Sequence, residues 1–173
     1  MKIKKINRMV VKIGSSLLID KDKGVNNNFL NNISEDIVSL KKRDIETLIV
    51  SSGAIELGKI ELNKTKEKFN LSESQAASSI GQIKLINAWK DSLGKFDLNA
   101  AQILITAEDT ENRKRFLNAR STIEELMREK YIPIINENDT ISTDEIKFGD
   151  NDTLASLVAN LSEAKNLIIL TDQ

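Results

Sequence analysis

Residues 131–161 read YIPIINENDTISTDEIKFGDNDTLASLVANL. Tyr131 to Ile135 is an apolar, β-prone run without alternation, the pattern of a parallel strand covered on both faces. The chain then turns polar: Asn136, Glu137, Asn138 and Asp139, then Asp144 and Glu145, then Asp150, Asn151 and Asp152 after the turn residue Gly149. Thr153 to Ala159 forms helix well, so Asn151 or Asp152 reads as its N-cap. A cap needs one such residue. Acceptor clusters facing one another across a short loop suit a ligand with ammonium or hydroxyl donors, or a metal. An acidic surface loop beside an ordinary cap is the plainer reading of the same residues.

The strand, polar turn and helix of this stretch recur along the chain. Met9 to Ile13 is a β-prone run ending in Gly14-Ser15-Ser16, with Lys12 separated from the turn by Ile13 alone. Backbone N–H groups around such a turn form a concavity suited to phosphate oxygens, and Lys12 would aim its ammonium at the same place. A surface lysine beside a simple turn is the alternative. Asn26 to Ser39 carries Phe29, Leu30, Ile33, Ile37 and Val38 at helical spacing, and Lys41, Lys42 and Arg43 follow at the basic end that the helix dipole favours. Thr47 to Val50 is a second strand, and Ser51-Ser52-Gly53-Ala54 then leads into a helix from Ile55. That is a second natural anion site. Gly53 to Ile60 imitates the spacing of a P-loop, but Ile60 stands where Ser or Thr must hold magnesium. A dinucleotide fingerprint fails too, since Gly14 is the one glycine of the three it needs.

Ser72 to Leu93 is the longest helical stretch. Ser72 reads as its cap with Gln75 three residues on, and Ala76, Ala77, Ile80, Ile83, Leu85, Ile86 and Trp89 read as its apolar positions. Ala76, Ala77, Ser78, Ser79 and Gly81 make its first half small, so a sheet, a twin subunit or a substrate packs closely there. Ala100 to Thr106 is a third strand, Glu108 to Arg115 a charged connector, and Asn118 to Lys130 a helix with Ile123, Leu126 and Met127 inward. Asn166 to Leu170 is a fifth strand ending in Thr171-Asp172. Strands alternating with helices imply an α/β fold: a three-layer αβα sandwich with a mainly parallel central sheet. Ligands of such sheets bind beyond the carboxyl ends of the strands. The polar ends at Lys12 to Ser16, Ser51 to Ala54, Asn136 to Asp139 and Thr171-Asp172 all fall there.

Composition narrows the chemistry. The 173 residues are 40% hydrophobic and 29% charged, enough for one domain with a real core. The net charge is −1, which gives no field for nucleic acid or a membrane surface. The chain has no cysteine, so it has no disulfide or thiolate chemistry, which fits a cytoplasmic protein. It also has no histidine, which removes the usual triad base and the commonest zinc ligand. Catalysis would have to rest on Lys, Arg, carboxylates, hydroxyls and backbone amides. The N-terminal apolar run is broken at Lys12 and is neither a signal peptide nor a membrane span.

The blocks VVKIGSS at 10–16, VSSGAIELG at 50–58, AASSIGQIKLINAW at 76–89, NARSTIEEL at 118–126, IPIINENDTIS at 132–142, FGDNDTLASLVA at 148–159 and LIILTD at 167–172 together resemble the glutamate 5-kinase family, within the amino-acid kinase superfamily. The resemblance covers nearly the whole chain in order. It implies ATP-dependent phosphorylation of the γ-carboxylate of L-glutamate, at the start of proline biosynthesis, with magnesium carried mainly by the ATP phosphates. By position it implies that Lys12 binds and neutralises the moving phosphoryl group beside Gly14 and Ser15. Ser52, Gly53 and Ala54 would hold the substrate, with Asp139, Asp150 and Asn151 on its ammonium and carboxylate ends. Asp152 would orient Lys12, and Thr171 and Asp172 would open the ATP site. It further implies proline as a feedback inhibitor acting at the 136–152 loop, a homo-oligomer, and glutamyl phosphate reductase as a partner. Residues 1–173 would then be the N-terminal, substrate-binding portion of the kinase domain, with the nucleotide subdomain begun at 166–173. The rest of that subdomain, with a second catalytic lysine, and often an RNA-modification-like domain, would follow. Two rivals remain open: another kinase of the same fold, acting on carbamate, aspartate, acetylglutamate or a nucleoside monophosphate, and a noncatalytic amino-acid sensor.

Overall fold

The computed structural model describes residues 8–20, 23–142 and 151–172. Its centre is a five-stranded parallel sheet built from β1 (Arg8–Ile13), β4 (Glu46–Ser51), β5 (Asn99–Ile105), β6 (Tyr131–Glu137) and β7 (Asn166–Leu170), in the order β5-β6-β4-β1-β7. The order reverses at β1: β4 lies on one side of it and β7 on the other. In an open α/β sheet that reversal is where a crevice forms.

Strand side chains alternate between two cores, which is why the apolar runs lack a polar face. Val11, Ile13, Ile49, Ile132 and Ile134 face one way, toward α2 (Asn27–Lys41), α3 (Ala54–Glu61) and α4 (Leu71–Gly94). Val10, Leu48, Val50 and Ile135 face the other, toward α6 (Arg113–Arg128) and α7 (Asn151–Leu161). The result is the expected three-layer sandwich. Trp89 is fully buried in the first core, and its indole N–H donates to Ser51 Oγ at 2.9 Å, so the ring's one polar atom is satisfied.

Several local expectations need correction. The helix from Leu71 is capped by Asn70, not Ser72: the Asn70 side chain accepts from Glu73 N–H, and Glu73 accepts from Asn70 N–H in return. Both Asn70/Glu73 and Ser72/Gln75 fit the capping pattern, and the charged Glu73 makes the stronger reciprocal bond. The connector at 108–115 is itself helical, as α5 (Ala107–Glu111) and the first turn of α6. Asn151 and Asp152 are the first two residues of α7 rather than its cap. Ser15–Leu18 (α1) and a small hairpin, β2 (Ile19–Asp20) with β3 (Gly24–Val25), were not anticipated.

The small-residue half of α4 packs against α3. Gly58 and Gly81 are what allow the two helices to touch backbone to backbone. A Cβ on Gly58 would stand 1.8 Å from the Ala77 carbonyl oxygen, and one on Gly81 1.8 Å from that of Ala54. This also shifts the buried stripe of α4: Ala77, Ser78, Gly81 and Gln82 are buried, while Ala76 and Ile83 are exposed. Such close packing fixes the start of α3, and with it the turn that precedes it, against the end of β4.

Candidate active site

A cleft of about 380 Å³ opens where β1, β4 and β6 end, lined by Lys12, Gly14, Ser15 and Ser16, by Ser52, Gly53, Ala54, Ile55 and Glu56, and by Asn136, Glu137, Asp139 and Asn151. The period-2 rule of the strands explains how its side chains divide. Lys12 shares a face with Val10 and so points toward α7. Its Nζ lies 2.7 Å from Asp152 Oδ1. Ser52 follows Val50 onto the same face, and Asn151 Nδ2 donates to Ser52 Oγ. Two adjacent residues opening α7 are thereby tied to the ends of two neighbouring strands.

Asn136 shares the opposite face with Ile134 and points toward α4, where its Nδ2 donates to Gln82 Oε1 at 2.8 Å. Asp139, past the strand end, accepts from Ser78 Oγ at 2.5 Å. Glu137 accepts from Ser142 Oγ at 2.6 Å. Burial holds both carboxyls above the ordinary carboxylate range. For Glu137 the Ser142 hydroxyl opposes that shift and the Asp139 charge adds to it; for Asp139 the Ser78 hydroxyl opposes it and Glu56 adds to it.

The turn before α3 requires glycine. Gly53 has φ 109°, and a Cβ there would meet Ile19 Cδ1 at 2.3 Å. No side chain caps α3, so its first-turn amides stand at the wall of the cleft, aligned with the positive end of the helix dipole. Gly14 N–H is already committed to the Leu170 carbonyl at 3.0 Å, which ties the β1 turn to the end of β7. The cleft therefore brings together a cation, a helix N-terminus and a row of oxygen acceptors. That combination suits an anionic phosphoryl group meeting a substrate that carries an ammonium.

A family model, the amino acid kinase family, matches residues 7–173. The chain belongs to the amino acid kinase family. Among its relatives, glutamate 5-kinase of Brucella ovis is 50% identical over 171 residues, covering 99% of this chain and 45% of the relative. Glutamate 5-kinase 1 of Mesorhizobium japonicum is 49% identical over 170 residues, covering 98% of this chain and 45% of the relative. The chain thus spans less than half the length of these curated relatives. The crystal structure of UMP kinase from Ureaplasma parvum superposes with a TM-score of 0.64 at 16% identity, covering 96% of this chain and 70% of that one. At that identity the likeness speaks for the fold.

Of the residues singled out in the sequence, Lys12, Gly14, Ser15, Ser52, Gly53, Ala54, Asp139 and Asn151 line one cleft, and Asp152 stands behind Lys12. Thr171 and Asp172 follow β7 as exposed residues outside that lining. Asp150, with Asp144, Glu145 and Gly149, lies outside the described residues. The sequence reading missed Glu56, Ser78 and Gln82. Ser78 and Gln82 sit four apart on α4, a spacing that puts them on one face, but they were read as part of a small or polar background. A second concavity of about 290 Å³ lies at the opposite end of the sheet, around Thr47, Met127 and Tyr131. It has no part in this arrangement. No helix among the described residues is long and apolar enough to cross a membrane.

Proposed function

We propose that this chain carries the amino-acid-binding portion of an enzyme that transfers the γ-phosphoryl group of ATP to the γ-carboxylate of L-glutamate, giving L-glutamyl 5-phosphate for proline biosynthesis. The observation that carries this reading is the half-identity to relatives named glutamate 5-kinase along 99% of the chain. The cleft's chemistry supports it. A carboxylate oxygen of glutamate attacks the γ-phosphorus while the bond from that phosphorus to the departing ADP oxygen breaks, the electron pair leaving with ADP. The nucleophile is already ionised near pH 7, so no strong base is required, which suits a chain without histidine. What the step does require is positive charge where two anions meet.

In this reading Lys12 supplies that charge, and Asp152, 2.7 Å away, holds the ammonium in place rather than acting as a base. Gly14 and Ser15 line the phosphate side; Ser52, with the amides of Gly53 and Ala54, holds the glutamate. Asp139 and Asn151, with Asp150, take its ammonium and α-carboxylate. Thr171 and Asp172 begin the ATP site. Magnesium comes on the ATP phosphates and adds charge there; the described residues bring no group of three Asp, Glu, His or Cys together as a metal cage. Proline shares the ammonium and α-carboxylate of glutamate and competes for the same acceptors, so it raises the apparent KM for glutamate. The labile acyl phosphate is passed on to a reductase, glutamyl phosphate reductase.

The test is ADP release by the protein in its full encoded length, with Mg-ATP and a panel of acceptors. L-glutamate as the productive acceptor supports the reading. Turnover of aspartate, N-acetylglutamate, carbamate or UMP in its place replaces it, and glutamate binding without turnover points to a sensor.

A further inference from the structure

Three residues of α4 hold the segment that leaves β6. Gln75 Nε2 donates to the Ser142 carbonyl at 3.1 Å, Ser78 Oγ donates to Asp139 Oδ2 at 2.5 Å, and Asn136 Nδ2 donates to Gln82 Oε1 at 2.8 Å. The spacings of three and four place all three on one stripe of the helix. Ser78 and Gln82 are themselves buried, and neither lines the cleft, whereas their partners Asp139 and Asn136 do. Packing alone would be served by apolar side chains, since a buried polar group costs stability unless it is bonded. Here each is bonded to a residue that faces the ligand space.

The bonds also dictate what that space contains. With Asn136 Nδ2 held on Gln82 Oε1, the amide's orientation is set and its acceptor oxygen Oδ1 points away from α4. With Asp139 Oδ2 engaged by Ser78, Oδ1 is left as an acceptor. The α3–α4 contact at Gly58 and Gly81 fixes the helix along the neighbouring stripe of Ala77 and Gly81, so Ser78 and Gln82 stand on a rigid support. We infer that Ser78 and Gln82 are positioning residues which, through Asp139 and Asn136, set the cleft's selectivity for a free α-ammonium group. Two fixed acceptors match an ammonium, with three N–H donors and a full charge; an acylated nitrogen offers one neutral donor. The inference rests on the proposed glutamate-phosphorylating reading.

The experiment compares wild type, Ser78→Ala and Gln82→Met in the full encoded length, measuring kcat and KM for L-glutamate and the inhibition constant of glutarate. Glutarate is the same carbon chain without the ammonium. Ser78→Ala is expected to raise the glutamate KM about tenfold, with kcat nearly unchanged, as loss of a hydrogen bond to a charged group should. The glutarate constant stays where it was, so discrimination between the two falls by the same factor. Gln82→Met moves the same ratio in the same direction. Ser79 donates its hydroxyl to the Gln75 carbonyl of its own helix, and Ser79→Ala changes neither constant. Equal weakening of glutamate and glutarate in Ser78→Ala, or no weakening of either, overturns the inference while wild-type glutamate turnover leaves the functional reading standing. Absence of that turnover in wild type overturns both.

Discussion

Lys12 Nζ lies 2.7 Å from Asp152 Oδ1, joining the last turn-facing residues of β1 to the first turn of α7. The lysine side chain is 9% exposed and that of the aspartate 38%. The cation is therefore largely withdrawn from water beside a partner that stays partly open to it. Asp152 also sits at the positive end of the α7 dipole, which favours its charge. Replacing it with Asn keeps the shape and removes the charge that holds Lys12. With Lys12 in its proposed catalytic role, Asp152→Asn is expected to lower kcat about tenfold to a hundredfold, the scale for misplacing a catalytic group by an ångström. Steady-state kinetics with the KM for glutamate measured alongside check this, and an unchanged kcat contradicts it.

The α3–α4 contact makes an equally sharp prediction about stability. Gly58→Ala and Gly81→Ala each force a methyl to within 1.8 Å of a carbonyl oxygen on the facing helix, where no flexible side chain can yield. Each is expected to cost at least 2 to 3 kcal/mol, the upper range of overpacking. Gly94, the last residue of α4, has nothing within 4 Å of the added carbon. Gly94→Ala should stabilise by about 0.5–1 kcal/mol through helix propensity and chain entropy. Urea unfolding of the three variants separates the two behaviours.

Glu137 gives a pH-dependent effect. Its carboxyl titrates above the ordinary range because it is buried, so the folded state binds that proton more readily than the unfolded chain. Stability on its account falls as pH rises past the unfolded value and is recovered as pH drops back through it. Glu137→Gln removes the buried charge and keeps an oxygen for Ser142. At pH 7 it should raise stability by on the order of 1 kcal/mol, or about 2–4 °C in Tm. At pH 4 most of that gain should be gone. A gain of equal size at both pH values contradicts the electrostatic origin.

Thr47 is buried on β4, and its hydroxyl oxygen has no hydrogen-bond partner among the described residues. Valine has the same shape without the polar atom. Thr47→Val is expected to stabilise by about 1 kcal/mol, because an unsatisfied buried group loses its hydration without compensation. A thermal melt reads this directly, and a lower Tm contradicts it.

These relationships were legible in the sequence to different degrees. Strands written as unbroken apolar runs announced a sheet covered on both sides, and the polar residues closing each run announced the rim. Lys12, Ser52 and Asn136 could be assigned to that rim, but not to the two faces of the sheet, until the register placed Lys12 with Val10 and Asn136 with Ile134. The small residues of α4 announced close packing without naming the partner, because Gly58 and Gly81 explain one another only when the two helices are crossed. Ser78 and Gln82 were silent for a similar reason. A polar residue on a buried helix face has meaning through a partner some sixty positions away in the chain. The α4 cap was ambiguous because two capping patterns overlap, offset by two residues.

The proposed activity of this cleft is phosphorylation of the carboxylate of L-glutamate, with Lys12 carrying the developing charge. The most direct measurement traps the product: the protein in its full encoded length, Mg-ATP, L-glutamate and hydroxylamine, with the hydroxamate quantified for wild type and Lys12→Ala. The account predicts hydroxamate from wild type with L-glutamate and about a hundredfold less from the variant, the scale for loss of one positioned charge in the transition state. No hydroxamate from wild type, or an undiminished yield from Lys12→Ala, would contradict it.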